Sequence, residues 1–347
     1  MKYSGVGGQA VMEGVMMKNQ DRYAVAVRKP DHKIDVKVEN YKSTIKNEKI
    51  RHLPIVRGVV NFVESLILGM STLMYSASFF EDEEEEAKKK ELSEEERKKV
   101  EEKEKKQEKA MMGGTVVFSI VFALALFFAL PYFLSGFFHK IIESETLIAL
   151  IEGLIRLAIF VGYIAIISLT PDIKRVFMYH GAEHKCINCI EHGMELNVEN
   201  VRKSSKLHKR CGTSFLLIVM LISVVFFMFI RVDSRILQLG LRLLLIPVIA
   251  GVSYEFIRLA GRYDNWFVNI LSQPGLWMQR LTTKEPDDDM IEVGIASVEA
   301  VFDWKAFLNQ NFGTNYEITE KEYVIGEHIV PGTENKNDIQ TENAVTA

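Results

Sequence analysis

The sequence lacks the cysteines of a disulfide-stapled protein, since only 3 of its 347 residues are Cys. It also lacks a basic excess, because 42 Lys and Arg stand against 46 Asp and Glu. The first deficit excludes a disulfide scaffold. The second excludes a broadly basic nucleic-acid-binding protein, so no specific nucleic-acid partner is expected. The N-terminal stretch MKYSGVGGQAVMEG has no basic segment followed by an apolar one, so no signal peptide is expected.

Charge is concentrated in one run. Residues 81–110 hold 14 acidic and 10 basic residues, so the rest of the chain is neutral and this run carries the net charge of −4. Glu repeatedly precedes Lys by four residues, as in Glu84/Lys88 and Glu94/Lys98, which favours a helix. The run has almost no apolar face. It predicts a solvated helical linker over 81–112, or alternatively a docking arm for a cytoplasmic partner.

Four apolar stretches are long enough for the roughly 20 residues that a membrane-spanning helix needs. They are 115–138, 147–169, 213–230 and 237–257. They exclude a purely soluble protein and a disordered chain. The sequence therefore predicts a mainly α-helical polytopic membrane protein in contact with the lipid bilayer, with a four-helix bundle over 113–260.

The distribution of Lys and Arg predicts the orientation of the bundle. The loop 171–212 holds eight of these residues, whereas the short connectors between the other spans hold almost none. Basic loops remain in the cytoplasm. The loop is therefore predicted to be cytoplasmic, and an even number of spans places both termini there as well.

The segment 54–80 is ambiguous, because it is apolar but carries Arg57, Asn61 and Glu64 on one helical stripe. If it crossed the membrane, residues 1–53 would lie outside with eleven Lys/Arg and six Asp/Glu, against the positive-inside rule. We therefore predict an amphipathic or re-entrant helix at the membrane surface.

The terminal regions are predicted to be cytoplasmic. Residues 1–53 read as a small β meander, because 34–39 alternates with period two and 23–28 forms a second strand. So few strands are marginal alone, and the meander must pack on the membrane-proximal helices. A cytoplasmic C-terminal region over 261–330 precedes a tail, 331–347, whose polar composition predicts disorder.

The loop 171–212 contains four of the eight histidines and all three cysteines. A helix is predicted to begin at Thr170-Pro171 and to end at Gly193. On it, His180 and His184 share one apolar stripe, with Glu183 beside them. Cysteines in the cytoplasm are reduced, so metal ligation is the chemistry that this composition favours.

The sequence His180-Gly-Ala-Glu183-His184 has the form H-x-x-E-H. Two His at i and i+4 can hold one divalent metal, for which Zn²⁺ is the expected ion, and the Glu can act as a general base. A third ligand must come from elsewhere in the chain. The candidates are His208, Cys211, Glu255 and Glu292. The alternative to a metal is a pair of hydrogen-bonded core histidines.

A second ligand set competes with the first. The spacing Cys186-x-x-Cys189 followed by His208-x-x-Cys211 fits a closed, structural zinc site. A mixed site of His180, His184, His208 and Cys211 is also open. In either of the histidine-based sites, Cys186 and Cys189 would be ordinary buried thiols.

Four charged residues fall inside the predicted spans, and three of them, all except Glu255 near the end of the fourth span, lie well inside, where charges are costly and face a partner or a water-filled cavity. Glu152 and Arg156 are four residues apart and can pair on one helix. Arg242 has no local partner, so Glu152 or a main-chain carbonyl is expected to serve. The group is either a buried ion pair or part of a polar path.

Three motifs resemble the YqhQ-like family of bacterial membrane proteins. They are Gly7-Gly-Gln-Ala-Val-Met-Glu-Gly-Val-Met-Met17, His180-Gly-Ala-Glu-His-Lys185 and Leu207-His-Lys-Arg-Cys-Gly-Thr-Ser-Phe215. The resemblance covers about residues 3–300, with the charged run as a variable insertion. It implies a multi-pass protein of the bacterial inner (plasma) membrane. It also implies a metal-dependent enzyme, a description that rests on the same H-x-x-E-H pattern.

Carried over by position, the resemblance points to His180, Glu183, His184, His208 and Cys211. The chain departs from the family at Lys209, where Pro is usual, and this difference would alter the stiffness of the loop. It also departs at Cys186, where many relatives have another residue, which weakens the closed zinc site.

Two functions of different classes follow from these observations. The first is metal-assisted hydrolysis of a peptide or a lipid-linked substrate at the cytoplasmic membrane face. The second is a non-enzymatic accessory protein with a structural metal site, for example of a translocon or a ribosome-associated complex. A small-solute transporter is a third possibility, resting on Glu152 and Arg242 alone, and no internal repeat of the kind that transporters often contain is evident.

Overall fold

The computed structural model describes residues 1–43, 45, 53–80, 111, 113–230, 232, 234–262, 265–318 and 328–329. The predicted helical linker and the predicted disordered tail lie outside these ranges. The strands are β1 (Gly7–Val11), β2 (Gly14–Asn19), β3 (Arg22–Arg28), β4 (Ile34–Asn40) and β5 (His328–Ile329). The helices are α1 (Val56–Ala77), α2 (Gly113–Lys140), α3 (Glu145–Ile167), α4 (Pro171–Glu191), α5 (Val198–Lys203), α6 (Gly212–Phe227), α7 (Arg235–Arg262), α8 (Trp266–Thr282), α9 (Asp288–Glu299) and α10 (Trp304–Phe312).

The predicted meander is confirmed as an antiparallel sheet in the order β1-β2-β3-β4-β5. Strands β1 and β2 form a hairpin, in which Val11 pairs with Gly14 across a two-residue turn. Glu13 in that turn has a φ of +48°. The short strand β5 pairs with β4, with Val36 opposite Ile329. Among the strands that the structure describes, β1 is therefore an edge of the sheet.

The sheet buries both of its faces, which explains how so small a meander is stable. One face, including Val15, Met17 and Ala24, packs on α4 and α9. The opposite face, including Met16 and Val25, packs on Leu68, Tyr75, Phe79 and Phe80 at the end of α1 and in the turn that follows it. Residues from the N-terminus, the central loop and the C-terminal region therefore share one core.

Within the described ranges, four helices are long and apolar enough to cross a membrane: Val56–Phe80, α2, α3 and Ile236–Ala260 within α7. The membrane protein predicted from the sequence is confirmed at this level, but the set of four differs from the expected one. The expected span 213–230 is a shorter helix, α6, of 16 residues. At 1.5 Å per residue it is about 24 Å long, which is short of the ~30 Å hydrocarbon core.

Helix α1 meets the length and hydropathy criteria, yet its polar stripe has protein partners. Arg57 forms an ion pair with Glu255 of α7, and the amide of Asn61 donates to the hydroxyl of Tyr254 at 2.7 Å. Glu64 accepts a hydrogen bond from Ser43 Oγ at 2.6 Å. The amphipathic stripe therefore lies against α7 at one end and against the meander region at the other.

Candidate metal centre

Helix α4 forms where the sequence predicts it. Pro171 occupies its first turn, Thr170 stands at the N-cap position, and Gly193 follows its end with a φ of +81°. The half from Gly181 to Glu191 is buried on every side, although it is rich in polar residues. A Cβ at Gly181 would lie 2.0 Å from the carbonyl oxygen of Lys284, so the chain after α8 packs directly on this helix.

Two buried donors of α4, Lys185 and Asn188, are paired with main-chain carbonyls, as buried donors must be. The ammonium of Lys185 donates to the carbonyls of Arg202 and Ser204, each at 2.9 Å. The amide of Asn188 donates to those of Ser205 and Leu207. These bonds fix the segment 202–207 beside α4. The chain then continues to Cys211.

Three potential metal ligands converge beside α4. The ligand atoms of His180, His184 and Cys211 all lie within 4.8 Å of one another. The thiol sulfur of Cys211 is 3.3 Å from His180 Nε2. Cys211 is the N-cap residue of α6, where its sulfur also accepts from the amide of Thr213. We call these three side chains the His–Cys cluster.

The hydrogen bonds of the two imidazoles orient them for ligation. His180 Nδ1 lies 2.9 Å from the carbonyl oxygen of Thr282, and His184 Nδ1 lies 2.7 Å from that of Lys206. A carbonyl can only accept, so each Nδ1 carries a hydrogen and, in the neutral ring, each Nε2 offers a lone pair. Histidines that bind a metal usually donate a hydrogen bond from their other ring nitrogen to such a carbonyl or to a carboxylate.

The carboxylate of Glu183 lies beside the cluster. Its Oε2 is 3.8 Å from His180 Nε2 and 3.6 Å from His184 Nε2, and the side chain is buried. Strand β1 passes over it so closely that a Cβ on Gly8 would lie 3.1 Å from Glu183 Cγ and 2.4 Å from the carbonyl of Met16. Glycine at position 8 therefore allows the strand to approach the carboxylate.

The charges of the cluster favour a thiolate. Burial alone would raise the pKa of Cys211, but His180 and His184 outweigh it and hold that pKa well below its usual value. Burial likewise would lower the pKa of His180, whereas Cys211 and Glu183 raise it to about 9. The thiolate is the form of cysteine that binds metals.

His208 lies next to the cluster but belongs to another network. Its ring centroid is 5.7 Å from that of His184, and its Nε2 is 3.6 Å from the carboxylate of Glu191. Gln279 holds its main chain from both sides, accepting from its amide at 2.8 Å and donating to its carbonyl at 2.6 Å. Glu191 also pairs with Arg210 at 2.5 Å.

The other cysteines are directed away from the cluster. Cys186 is buried in the core against α9, where a Cβ on Gly294 would lie 2.9 Å from its sulfur. Cys189 donates to the carbonyl of Glu195 at 3.3 Å. Burial raises the pKa of both thiols. Within the described residues, the His–Cys cluster is the one group of this kind, so the set Cys186, Cys189, His208 and Cys211 is not brought together.

The remaining candidates from the sequence lie elsewhere. Glu255 pairs with Arg57, and Glu292 pairs with Arg28. In the helical bundle, the expected partner of Arg242 is found: its guanidinium contacts Glu152 at 2.5 Å. Glu152 also binds Arg156 at 2.5 Å.

Several residues that shape the centre carry no recognisable signal in the sequence. The carbonyls of Thr282 and Lys206 are main-chain groups, and Gln279 contacts His208 from 71 residues away. Gly8 is the exception, because it belongs to the glycine-rich motif near the N-terminus. A close approach to other backbone is a usual reason for glycine in a strand.

Comparison with known proteins gives two matches. Residues 53–304 match the family DUF1385, described as a protein of unknown function. The chain is 37% identical over 306 residues to the "Uncharacterized protein YqhQ" of Bacillus subtilis (strain 168), an alignment that covers 88% of this chain and 94% of the relative. No solved structure matches.

Proposed function

The chain belongs to the DUF1385 family, as its resemblance to the YqhQ-like proteins indicated, and on that premise we propose that it is a metal-dependent hydrolase of the bacterial plasma membrane. His180, His184 and Cys211 would hold the ion. The observation that carries the proposal is the convergence of two imidazole nitrogens and one sulfur within 4.8 Å.

The donor set suits Zn²⁺, which accepts both imidazole nitrogen and thiolate sulfur. Three protein ligands are typical of catalytic zinc sites, whereas structural sites have four. A bound Zn²⁺ would supply a Lewis acid that polarises a carbonyl group. A divalent cation would also offset the negative charges of the Cys211 thiolate and the Glu183 carboxylate, which are both buried.

Glu183 is the proposed general base. An ionised carboxylate only accepts hydrogen bonds, and this one lies within 4 Å of the Nε2 atoms of both histidines. It is therefore close enough to take a proton from an attacking water and to return it to the leaving group. His208 would act differently, by fixing the loop that carries Cys211.

The free edge of the sheet favours a peptide over a lipid-linked substrate. The amide of Arg28 donates to the carbonyl of Glu13, so the main-chain groups of Glu13 point toward β3. In an antiparallel sheet, successive residues of a strand point their main-chain groups alternately toward one neighbouring strand and away from it. In that alternation the main-chain groups of Gly8 and Ala10 face outward. Neither residue has another hydrogen-bond partner among those that the structure describes.

An extended peptide can add to such an edge as a further strand. Because Gly8 lies against Glu183, a peptide paired with β1 would run beside the His–Cys cluster. The position of the cluster suits a substrate at the membrane surface. Cys211 immediately precedes the apolar helix α6, and Thr282 is the last residue of α8.

The proposal is tested with purified protein reconstituted in liposomes and presented with a mixture of unstructured peptides. We expect cleavage that a chelator abolishes and Zn²⁺ restores. Glu183→Gln should lose cleavage by about 10²–10⁴-fold while keeping its metal. Glu199→Gln, an exposed residue of α5, is the matched control and should be unaffected. Metal-independent cleavage, or full activity in Glu183→Gln, would contradict the proposal.

One observation favours a second function. The His–Cys cluster joins α4 to the first turn of α6 and, through Thr282, to the end of α8. A metal there would hold α4, on which the sheet packs, to the helices α6 and α8. Such a structural metal site suits a non-enzymatic accessory protein of a membrane complex. In that case Glu183→Gln would retain its metal and would behave like the wild type apart from stability, and neither protein would cleave a peptide.

A further inference from the structure

Three charged side chains are buried together in the helical bundle. Glu152 and Arg156 lie on α3, Arg242 lies on α7, and each is at most 3% exposed. The carboxylate of Glu152 is shared: Oε1 contacts Arg156 and Oε2 contacts Arg242, both at 2.5 Å. Two guanidinium groups thus face one carboxylate, which leaves one positive charge in excess.

The two arginines are not equally satisfied. Arg156 donates to Glu152, to Ser223 Oγ at 3.0 Å and to the carbonyl of Phe127 at 2.9 Å. Arg242 donates to Glu152 through Nη1, but its buried Nε has no hydrogen-bond partner among the residues that the structure describes. Its guanidinium is otherwise flanked by the rings of Tyr132 and Phe227, with centroids at 5.1 Å.

An uncompensated charge in an apolar bundle is costly, because the bilayer and the packed side chains cannot solvate it. The nearest further carboxylate along the cavity is that of Glu145, which is exposed at the mouth and lies 3.6 Å from His139. It therefore does not neutralise the buried group in the way that Glu152 does.

A cavity of about 20 Å³ adjoins this group. Arg242 and Glu152 line it, together with the polar side chains of Tyr132, Ser135 and Gln238. A cavity needs about 10–15 Å³ to admit one water molecule. The cavity therefore has room for a single water molecule or monatomic ion and is too small for a phosphate or a lipid headgroup.

We propose that this cavity binds one monatomic anion, of which chloride is the physiological example, next to Arg242. The anion would neutralise the excess charge of the Glu152–Arg156–Arg242 group and accept the hydrogen bond that Nε of Arg242 offers. It would stabilise the ion-paired group through which Glu152 of α3 holds Arg242 of α7. The proposal is independent of the metal centre, which lies between α4, the N-cap of α6 and the end of α8.

The test measures chloride binding to the detergent-purified full chain. Binding is detected by line broadening of the ³⁵Cl nuclear magnetic resonance signal and by thermal unfolding. Chloride is compared with gluconate at equal ionic strength, and with phosphate. Arg242→Gln removes the excess charge. Arg258→Gln, which changes an exposed arginine on the same helix, is the matched control.

We expect saturable broadening and a midpoint of unfolding about 2–4 °C higher in chloride than in gluconate or phosphate. Both effects should persist in Arg258→Gln and vanish in Arg242→Gln. If Arg242→Gln does not fold, the comparison of chloride with gluconate and phosphate in the wild-type protein decides the test. No saturable broadening, or equal midpoints in chloride and gluconate, would show that the cavity holds only water and would overturn the proposal. An equal rise in phosphate would overturn it as well.

Discussion

At the scale of single residues, the centre depends on what the histidines do with their outer nitrogens. The carbonyls of Thr282 and Lys206 fix both Nδ1 atoms as donors, so the Nε2 atoms are directed toward Cys211. Two imidazole nitrogens and one sulfur that lie within 4.8 Å of one another form an arrangement that can hold one metal ion. The geometry thus favours ligation over the alternative of two structural histidines.

Glu191 provides a prediction on stability. Burial alone would raise its pKa, but His208, Arg210 and Ser4 lower it to about 2, from an ordinary value of 4.5. A carboxylate whose pKa is lowered on folding stabilises the protein above its unfolded pKa. The stabilisation is fully present above about pH 5 and is lost as the pH falls toward 2.

We therefore expect Glu191→Gln to be less stable than the wild type at pH 6–7, by about 3 kcal/mol at most. The difference should shrink steadily between pH 5 and pH 2. Thermal unfolding of both proteins across this range measures it. A difference that is constant with pH would show that the carboxylate acts by shape rather than by charge.

The sequence identified His180, Glu183 and His184 because helical spacing alone places them on one side of α4. It named Cys211 only as one of several third ligands, since nothing local joins it to α4. It also named His208, whose ring the structure turns toward Glu191. That outcome depends on Gln279 and on Arg210, and no pattern along the chain shows which side of a loop faces such distant groups.

At the scale of elements, two glycines let α1 approach α7. A Cβ on Gly58 would lie 2.9 Å from Gly251 Cα, and a Cβ on Gly251 would lie 2.4 Å from a methyl carbon of Ile55. Small residues at a helix crossing allow such contact in membrane proteins. The polar stripe of α1 meets α7 at this crossing.

We expect Gly251→Val to destabilise the protein by about 1–3 kcal/mol, because the helices must separate to admit the side chain. Gly240→Val, on the same helix where nothing lies within 4 Å, is the control and should cost less. Midpoints of thermal unfolding in detergent compare the two. Equal losses would mean that helix propensity, and not the crossing, causes the effect.

Strand β1 provides the second prediction at this scale. Ala10→Pro removes an outward-facing amide, which an edge strand tolerates, so the fold should survive while peptide cleavage falls at least tenfold. Gln9→Pro removes an amide of the ladder and should unfold the sheet instead. Circular dichroism together with the cleavage assay separates these cases. Unchanged cleavage in Ala10→Pro would exclude pairing of the substrate with β1.

The sequence predicted the strands with clean alternation and the helix α4 with its signals at both ends. It did not resolve the hairpin 7–19, because its first strand begins with two glycines and shows little alternation. It also placed the end of α6 three residues too late, at 230 instead of Phe227. Hydropathy continues past Phe227 into 228–230, where the helix has already ended, and composition alone does not show such an end.

At the scale of the whole molecule, the shared core constrains the topology. The hydroxyl of Ser297 in α9 donates to the carbonyl of Ala24 in β3, and α4 packs on the same sheet. Three distant parts of the chain must therefore lie on one side of a membrane. Between the sheet and α4 the number of crossings must be even. If α2 and α3, which are both long and apolar enough to span, cross as a hairpin, α1 should not cross.

We expect cysteine labelling to show this arrangement. Glu143→Cys, between α2 and α3, should react with a membrane-impermeant maleimide in intact cells. Asp31→Cys in the sheet and Lys203→Cys at the end of α5 should react only after permeabilisation. The three native cysteines are buried and contribute little background. Labelling of Asp31→Cys in intact cells would show that α1 crosses the membrane.

The central claim is that His180, His184 and Cys211 hold a metal ion, and its most direct test is the metal content of the detergent-purified protein by elemental mass spectrometry. We predict about one Zn²⁺ per chain in the wild type and in Cys186→Ser/Cys189→Ser, and loss of it in His180→Ala/His184→Ala and in Cys211→Ser. Metal lost with Cys186 and Cys189 instead, or no metal in the wild type, would contradict the account.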